Sequence, residues 1–142
     1  MDMKKIFYLI KRPFLVIFSG VSTYLLVTNF SLNISFAISS ILFLLGFFTW
    51  SFGLIELGKN FSIFPKPRIL IKTGIYKKVR HPIYLGHILI SFSWIVITQN
   101  LFFVIFWIIL TLILAIRIGM EEGLLEKKFG NEYRTYKKKT LF

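Results

Sequence analysis

The sequence predicts an all-α fold, a polytopic membrane helical bundle of about four transmembrane helices followed by a C-terminal amphipathic helix, with the N and C termini cytoplasmic. Three observations predict it. Hydrophobic residues make up 56% of the 142 positions, and 17 of them are Phe, more than the roughly half-apolar composition of a soluble domain. The apolar residues fall into long runs separated by short polar turns. The formal net charge is +12, and nearly all of that charge lies outside the runs, as expected for a chain sorted by the positive-inside rule.

Each element follows from local chemistry. Lys4, Lys5, Lys11 and Arg12 outweigh Asp2 ahead of Pro13, which can open a helix because its missing N–H would be unsatisfied there in any case. The first span covers about 14–30. A basic start before a short apolar run also describes a signal peptide, but no small-x-small cleavage pattern follows, and Asn29–Asn33 reads as a tight polar turn. The second span, about 34–57, is long enough to cross with some tilt. Gly46 and Gly53 within it read as helix-packing positions, and Glu56 as an interfacial acid within reach of Lys59. The loop 59–80 carries Lys59, Lys66, Arg68, Lys72, Lys77, Lys78 and Arg80 with no acid, and its Pro65 and Pro67 forbid a continuous helix. Ile69-Leu70-Ile71 is an apolar island for the interface or for a bound ligand, and Thr73-Gly74 is a turn. Pro82 starts the third span, about 82–98; Gln99-Asn100 closes a hairpin; and the fourth span runs over about 101–120. Leu124, Leu125, Phe129, Tyr133 and Tyr136 then recur at helical spacing among Lys and Glu, predicting a surface helix over about 121–139. No internal repeat or linker divides the chain, so residues 1–142 form one domain.

Composition also narrows function. A basic soluble protein would suggest a nucleic-acid partner. Here no polar domain exists to present a groove, so the basic loops are expected to meet anionic membrane lipids instead. Cys is absent, which excludes disulfides, thiolate metal sites and a Cys nucleophile. His81 and His87 are six apart, on different helix faces, and no HExxH pattern or carboxylate cluster accompanies them, so no metal is expected.

The densest polar chemistry lies in two clusters, one from Gly74 to Gly86 and one from Arg117 to Glu122. Spans three and four share almost no loop, so they form an antiparallel hairpin. Counting from Gln99-Asn100 puts His81 level with Ile118 and Lys78 level with Glu121, roughly 26 Å from the turn at 1.5 Å per residue. His81 and Tyr84 then face Arg117, Glu121 and Glu122, with loop 66–80 available as a lid. Burying such groups beside lipid is costly unless they pair with one another or with a polar ligand. Taken singly, His81 could simply begin a helix, Arg117 and Glu121 could be an (i, i+4) ion pair, and Gly119 and Gly123 could be helix packing.

The run Thr73-Gly74-Ile75-Tyr76-Lys77-Lys78-Val79-Arg80-His81-Pro82-Ile83-Tyr84-Leu85-Gly86 resembles the T-G-x-Y-x-x-x-R-H-P-x-Y-x-G signature of the isoprenylcysteine carboxyl methyltransferase family, much of which phospholipid methyltransferases share. Glu121-Glu122, Phe129-Gly130-Asn131-Glu132-Tyr133 and Tyr136-Lys137-Lys138 are similar to that family's closing block, and Leu57–Ser62 to the segment after its second core helix. The resemblance covers roughly residues 50–140. It implies an integral, multi-pass membrane enzyme, in the plasma membrane of a prokaryote, that uses S-adenosylmethionine. It places Tyr76, His81, Pro82, Ile83, Tyr84 and Glu121 at the cofactor, covers the adenosyl part with Arg68, Ile69, Leu70 and Ile71, and assigns Arg117 to catalysis and substrate binding. Glu122, Gly86 and Arg80 are further candidates. The implied acceptor is a lipid-like or prenylated carboxylate; a phospholipid amine is the alternative. A small non-catalytic membrane subunit or lipid-binding scaffold is the alternative from another class. A carboxylate acceptor needs no general base and would be oriented by Arg117, whereas an amine would have to lose a proton, to Glu122 or His81.

Overall fold

The computed structural model describes residues 18, 20–30, 33–58 and 70–142, and all regular structure among them is helical. Helix α1 is described over 20–28. It is followed by α2 (Ile34–Leu57), a 3-10 turn (Gly74–Lys77), α3 (Pro82–Thr98), α4 (Leu101–Phe129) and α5 (Asn131–Lys139). The beginning of the first expected span and most of the 59–80 loop, including Arg68 and Ile69, lie outside the described residues.

The polar turns act as caps. Asn33 accepts the Phe36 N–H at 2.8 Å and Asn100 accepts the Phe102 N–H at 2.8 Å, each satisfying a donor at a helix start. Gln99 takes the left-handed conformation (φ 48°) that ends α3. α2 and α4 are both long and apolar enough to cross a membrane. α3 is shorter, 17 residues.

α3 is the central helix. It buries Pro82, Ile83, Gly86, Ile90, Ser91, Ser93 and Trp94, whereas α4 buries Leu114 alone. α2 lies closest to α3, and glycines set the approach. A Cβ built on Gly46 would come within 3.0 Å of the Gly86 carbonyl, and one on Gly86 within 2.6 Å of the Trp50 Cβ. Gly53 is likewise filled by Ile83 and Pro82. The expected packing role of Gly46 and Gly53 is thus met by α3. Gly119 and Gly123 have nothing within 4 Å of such a Cβ; their spacing resembles a packing motif, but they face open space and pack no helix among the described residues.

α1 joins α3 through Trp94, whose indole N–H donates to the buried Ser22 hydroxyl at 3.3 Å, and Leu25, Ile90 and Trp94 form the apolar core there. α4 is held to α3 by Trp107, which donates to the Ile88 carbonyl at 3.1 Å. The outer faces of α2 and α4 expose Ile41, Leu45, Phe48, Ile105, Ile109 and Leu112 among many others. That surface is far more apolar than water tolerates on a monomer.

The expected break between a span ending at 120 and a surface helix starting at 121 is not where the chain turns. α4 continues unbroken to Phe129, because Glu121 and Glu122 find cationic partners and give the helix no reason to stop. The chain turns at Gly130, whose φ of 51° suits a residue without Cβ, and α5 folds back against the 72–81 segment instead of extending away from it.

Candidate active site

The cytoplasmic-side ends of α3 and α4 bring the two polar clusters together. Arg117 donates through Nε to the Tyr84 hydroxyl at 2.6 Å and to Glu121 Oε1 at 3.3 Å. Tyr84 in turn donates to Glu121 Oε1 at 2.5 Å. The three form a closed triangle in which the hydroxyl, accepting from a cation and donating to an anion, fixes both. Glu121 Oε2 has no hydrogen bond among the described residues and lies 4.0 Å from His81 Nδ1. The His81 ring stacks on Tyr84, with centroids 5.7 Å apart and planes at 18°.

His81 is 6% exposed. Its Nε2 is 3.5 Å from Glu122 Oε1 but too poorly aligned to bond, so this buried nitrogen has no hydrogen-bond partner. Burial holds the imidazole pKa below its ordinary value, outweighing the nearby Glu121 and Glu122 that would raise it. A neutral, buried ring with an unpaired nitrogen beside a carboxylate oxygen that also lacks a partner is a pair that a polar ligand would satisfy.

The register differs from the count along the hairpin. His81 meets Glu121 and Glu122, about one turn beyond Ile118. The reason is side-chain direction. Side chains lean towards the N-terminus of their own helix. On α3 that is towards the cytoplasmic end, and on antiparallel α4 it is away from it, so groups meet whose Cα atoms are offset by a turn.

Glu122 belongs to a neighbouring network. Arg80 Nε donates to its Oε1 at 3.0 Å, and Lys137 Nζ donates to its Oε2 at 2.5 Å. Arg80 also donates to the carbonyls of Lys137 and Thr140 at 3.0 and 2.9 Å. Backbone bonds tie the same segments: the Arg80 N–H reaches the Leu141 and Phe142 carbonyls, and the Leu141 N–H reaches Lys78 O at 2.8 Å. The Tyr136 hydroxyl donates to Tyr76 O at 2.6 Å, and burial chiefly raises its pKa to about 12. Tyr133 is 1% exposed, and its hydroxyl has no hydrogen-bond partner among the described residues.

The other candidates sit elsewhere around this centre. The Tyr76 hydroxyl donates to Gly53 O at 3.3 Å, pinning the 3-10 turn to the end of α2. Burial first, then Tyr136, Glu121 and Glu56, push its pKa upward. Pro82, Ile83 and Gly86 turn towards α2. Leu70 and Ile71 are half-buried ahead of the turn. Tyr133, Tyr136, Lys137 and Thr140 were not singled out as site residues by sequence reasoning. Their signal was the Gly130 reversal followed by two Tyr residues three apart on an otherwise charged helix.

This constellation, on a helical frame with a lipid-suited exterior, defines a small helical protein with a polar pocket beside its apolar spans. A model of the phospholipid methyltransferase family matches residues 17–132, so the chain belongs to that family. It is 36% identical over 109 residues to a protein-S-isoprenylcysteine O-methyltransferase of Saccharomyces cerevisiae, covering 70% of this chain and 44% of that one. Against the protein of the same description from Schizosaccharomyces pombe it is 34% identical over 125 residues, covering 78% and 51%. A methanethiol S-methyltransferase 1 of Bradyrhizobium diazoefficiens is 40% identical over 65 residues, covering 46% of this chain and 22% of that one. The chain thus spans about half the length, or less, of the curated relatives it matches. No solved structure matches.

Proposed function

We propose that the chain is an S-adenosylmethionine-dependent methyltransferase, embedded in the membrane by four crossings, that methylates the carboxylate of a lipid-borne, prenylcysteine-like acceptor. The observation that carries it is the Arg117–Tyr84–Glu121 triangle beside the unpaired His81 nitrogen. The family and the descriptions of the two yeast relatives support it.

The residues present fit such a cofactor. Bound S-adenosylmethionine supplies an activated methyl group on a sulfonium centre, together with an ammonium, a ribose and a planar base. Glu121 Oε2 suits an ammonium or a ribose hydroxyl, His81 Nε2 suits a hydrogen-bonding edge, and the Tyr84 and His81 rings offer faces to a cation. Arg117, held by its Nε edge, orients an acceptor carboxylate through charge-assisted hydrogen bonds. Positioning and exclusion of water are the contributions asked of the protein, since a carboxylate needs no proton removed. Leu70 and Ile71, with Arg68 and Ile69, are assigned to the covering loop.

Topology follows from length and charge. Twenty residues of α4 span about 30 Å, the thickness of a bilayer core, which brings Glu121 to the boundary. The turns at 29–33 and 99–100 carry no charge, while the 72–80 segment and α5 are basic. Both termini are therefore assigned to the cytoplasmic side.

The test is calorimetry of S-adenosylmethionine binding to wild type and to Glu121→Ala in detergent. The expected result is heat from the first and its loss in the second; equal heats, or none from either, remove the enzyme reading. Methyl transfer to an N-acylated S-prenylcysteine, compared with phosphatidylethanolamine, then distinguishes carboxylate from amine.

A further inference from the structure

Outside the triangle, the structure has a groove of about 380 Å³ between the 3-10 turn and α5. Lys72 and Lys77 form one side, Lys139, Thr135 and Thr140 the other, and Tyr136 the wall between them. The one acid in the lining, Glu132, is already paired with Lys72 at 2.7 Å. Three lysines against one glutamate leave two positive charges, and Lys77 and Lys139 make no ion pair among the described residues. Like charges gathered around a concave surface repel one another and attract an anion.

Two further observations say which anion. Lys77 ends a turn whose Tyr76 is bonded to Gly53 near the end of α2, and α3 begins five residues later. The groove therefore lies at the level where the apolar helices end, which is headgroup depth in a bilayer. Leu141, next to Thr140, is 76% exposed, so an apolar surface adjoins the cationic one. An anionic head with a hydrocarbon body suits both; a free soluble anion uses only the first.

We propose that this groove binds the phosphate of an anionic membrane phospholipid, with Lys77 and Lys139 as the two cations that grip it from opposite sides. Occupancy would join the turn to α5 across the same seam that Tyr136 and Arg80 already close, steadying the segment over His81. The site is separate from the methyl-acceptor site, and its test does not depend on methyl transfer.

The experiment is native mass spectrometry of the purified chain in detergent with dioctanoyl phosphatidylglycerol or dioctanoyl phosphatidylcholine. It is run on wild type, on Lys77→Gln/Lys139→Gln, and on Lys127→Gln/Lys128→Gln as an equally charge-reduced control outside the groove. At a factor of about five per lysine near an anionic lipid, the groove variant should bind phosphatidylglycerol about thirty-fold more weakly, and the control should stay near wild type. Far-ultraviolet circular dichroism checks that all three are folded to the same helicity. Equal loss in both variants, no loss in either, or equal retention of phosphatidylcholine by wild type overturns the proposal. So does displacement of the lipid by millimolar inorganic phosphate, which would assign the groove to a soluble anion.

Discussion

The two faces of α3 use opposite chemistry. Towards α2 it is a dry seam in which Gly46, Gly53 and Gly86 let backbones approach and nothing charged intervenes. Towards the cytoplasmic end of α4 it is an assembly of cations, carboxylates and a tyrosine, with polar atoms left over. The seam is fully satisfied by itself; the polar end is not. Close apolar packing fixes one arrangement, and that rigidity is what can hold His81 and Tyr84 in place opposite a helix that buries only Leu114. Damage to the first region should therefore appear as lost stability, and damage to the second as lost chemistry.

The largest expected effect tests the polar side. Arg117→Ala removes the cation proposed to orient the acceptor, and kcat/KM for a prenylcysteine carboxylate should fall about a thousandfold, or about 4 kcal/mol of transition-state stabilisation. Its midpoint of thermal unfolding should move little, because the pair it leaves is an (i, i+4) contact worth a few tenths of a kcal/mol. An amine acceptor would lose far less activity. Activity on the carboxylate within tenfold of wild type would break the division between the two faces.

The seam comes next. A Cβ at Gly86 meets the Trp50 Cα at 2.9 Å and the Gly46 carbonyl at 2.8 Å. Backbone atoms cannot yield as a side-chain tip can, so Gly86→Ala should cost about 3 kcal/mol, the top of the overpacking range. Gly119→Ala faces open space in the interior of α4 and should be neutral or stabilising by up to about 1 kcal/mol. Thermal unfolding of both in one detergent compares them directly. Gly86 was a candidate site residue on resemblance alone; loss of activity without loss of stability would return it to the site.

That pair of glycines shows what was legible in the sequence. Apolar runs, Asn33, Asn100 and the Gln99-Asn100 turn define where α2, α3 and α4 start and stop, because capping is local chemistry. Small-residue spacing marks both Gly46/Gly53 and Gly119/Gly123, yet only the first pair has a neighbour, since spacing on one helix carries no information about the next. The meeting of His81 with the acids of α4 follows from a nearly loopless hairpin; the one-turn offset follows from side-chain lean, which a count of residues ignores. The return of α5 depended on which way the chain leaves Gly130, and helical periodicity alone does not give a direction.

The third effect separates the tail from the centre. Arg80 bonds Glu122 and two carbonyls of the returning segment. Arg80→Ala leaves those acceptors short of a charged donor and should cost about 2 kcal/mol. Lysine cannot reproduce the fork, so Arg80→Lys should recover little. Limited trypsin digestion reads this locally: cleavage at Lys137–Lys139 should accelerate in both variants while α2 and α3 stay protected. Unchanged cleavage would mean the tail is held by Tyr136 and the backbone bonds alone.

The smallest effect is pH dependence, and it tests whether the polar end is poised as described. The folded protein holds His81 below the ordinary histidine pKa of about 6.5, by burial. Between that value and the folded pKa, the unfolded chain binds a proton that the folded chain refuses. Stability therefore rises with pH across this window, is flat above about pH 7, and falls on acidification by at most about 1.4 kcal/mol per pH unit. Unfolding temperatures from pH 7.5 to pH 5.5 should fall in wild type and fall less in His81→Gln, whose side chain takes up no proton; His87, deeper in α3, is unchanged in both. An identical slope in the two proteins would mean His81 does not carry the effect, and the unpaired nitrogen at its centre would lose its claim to be waiting for a ligand.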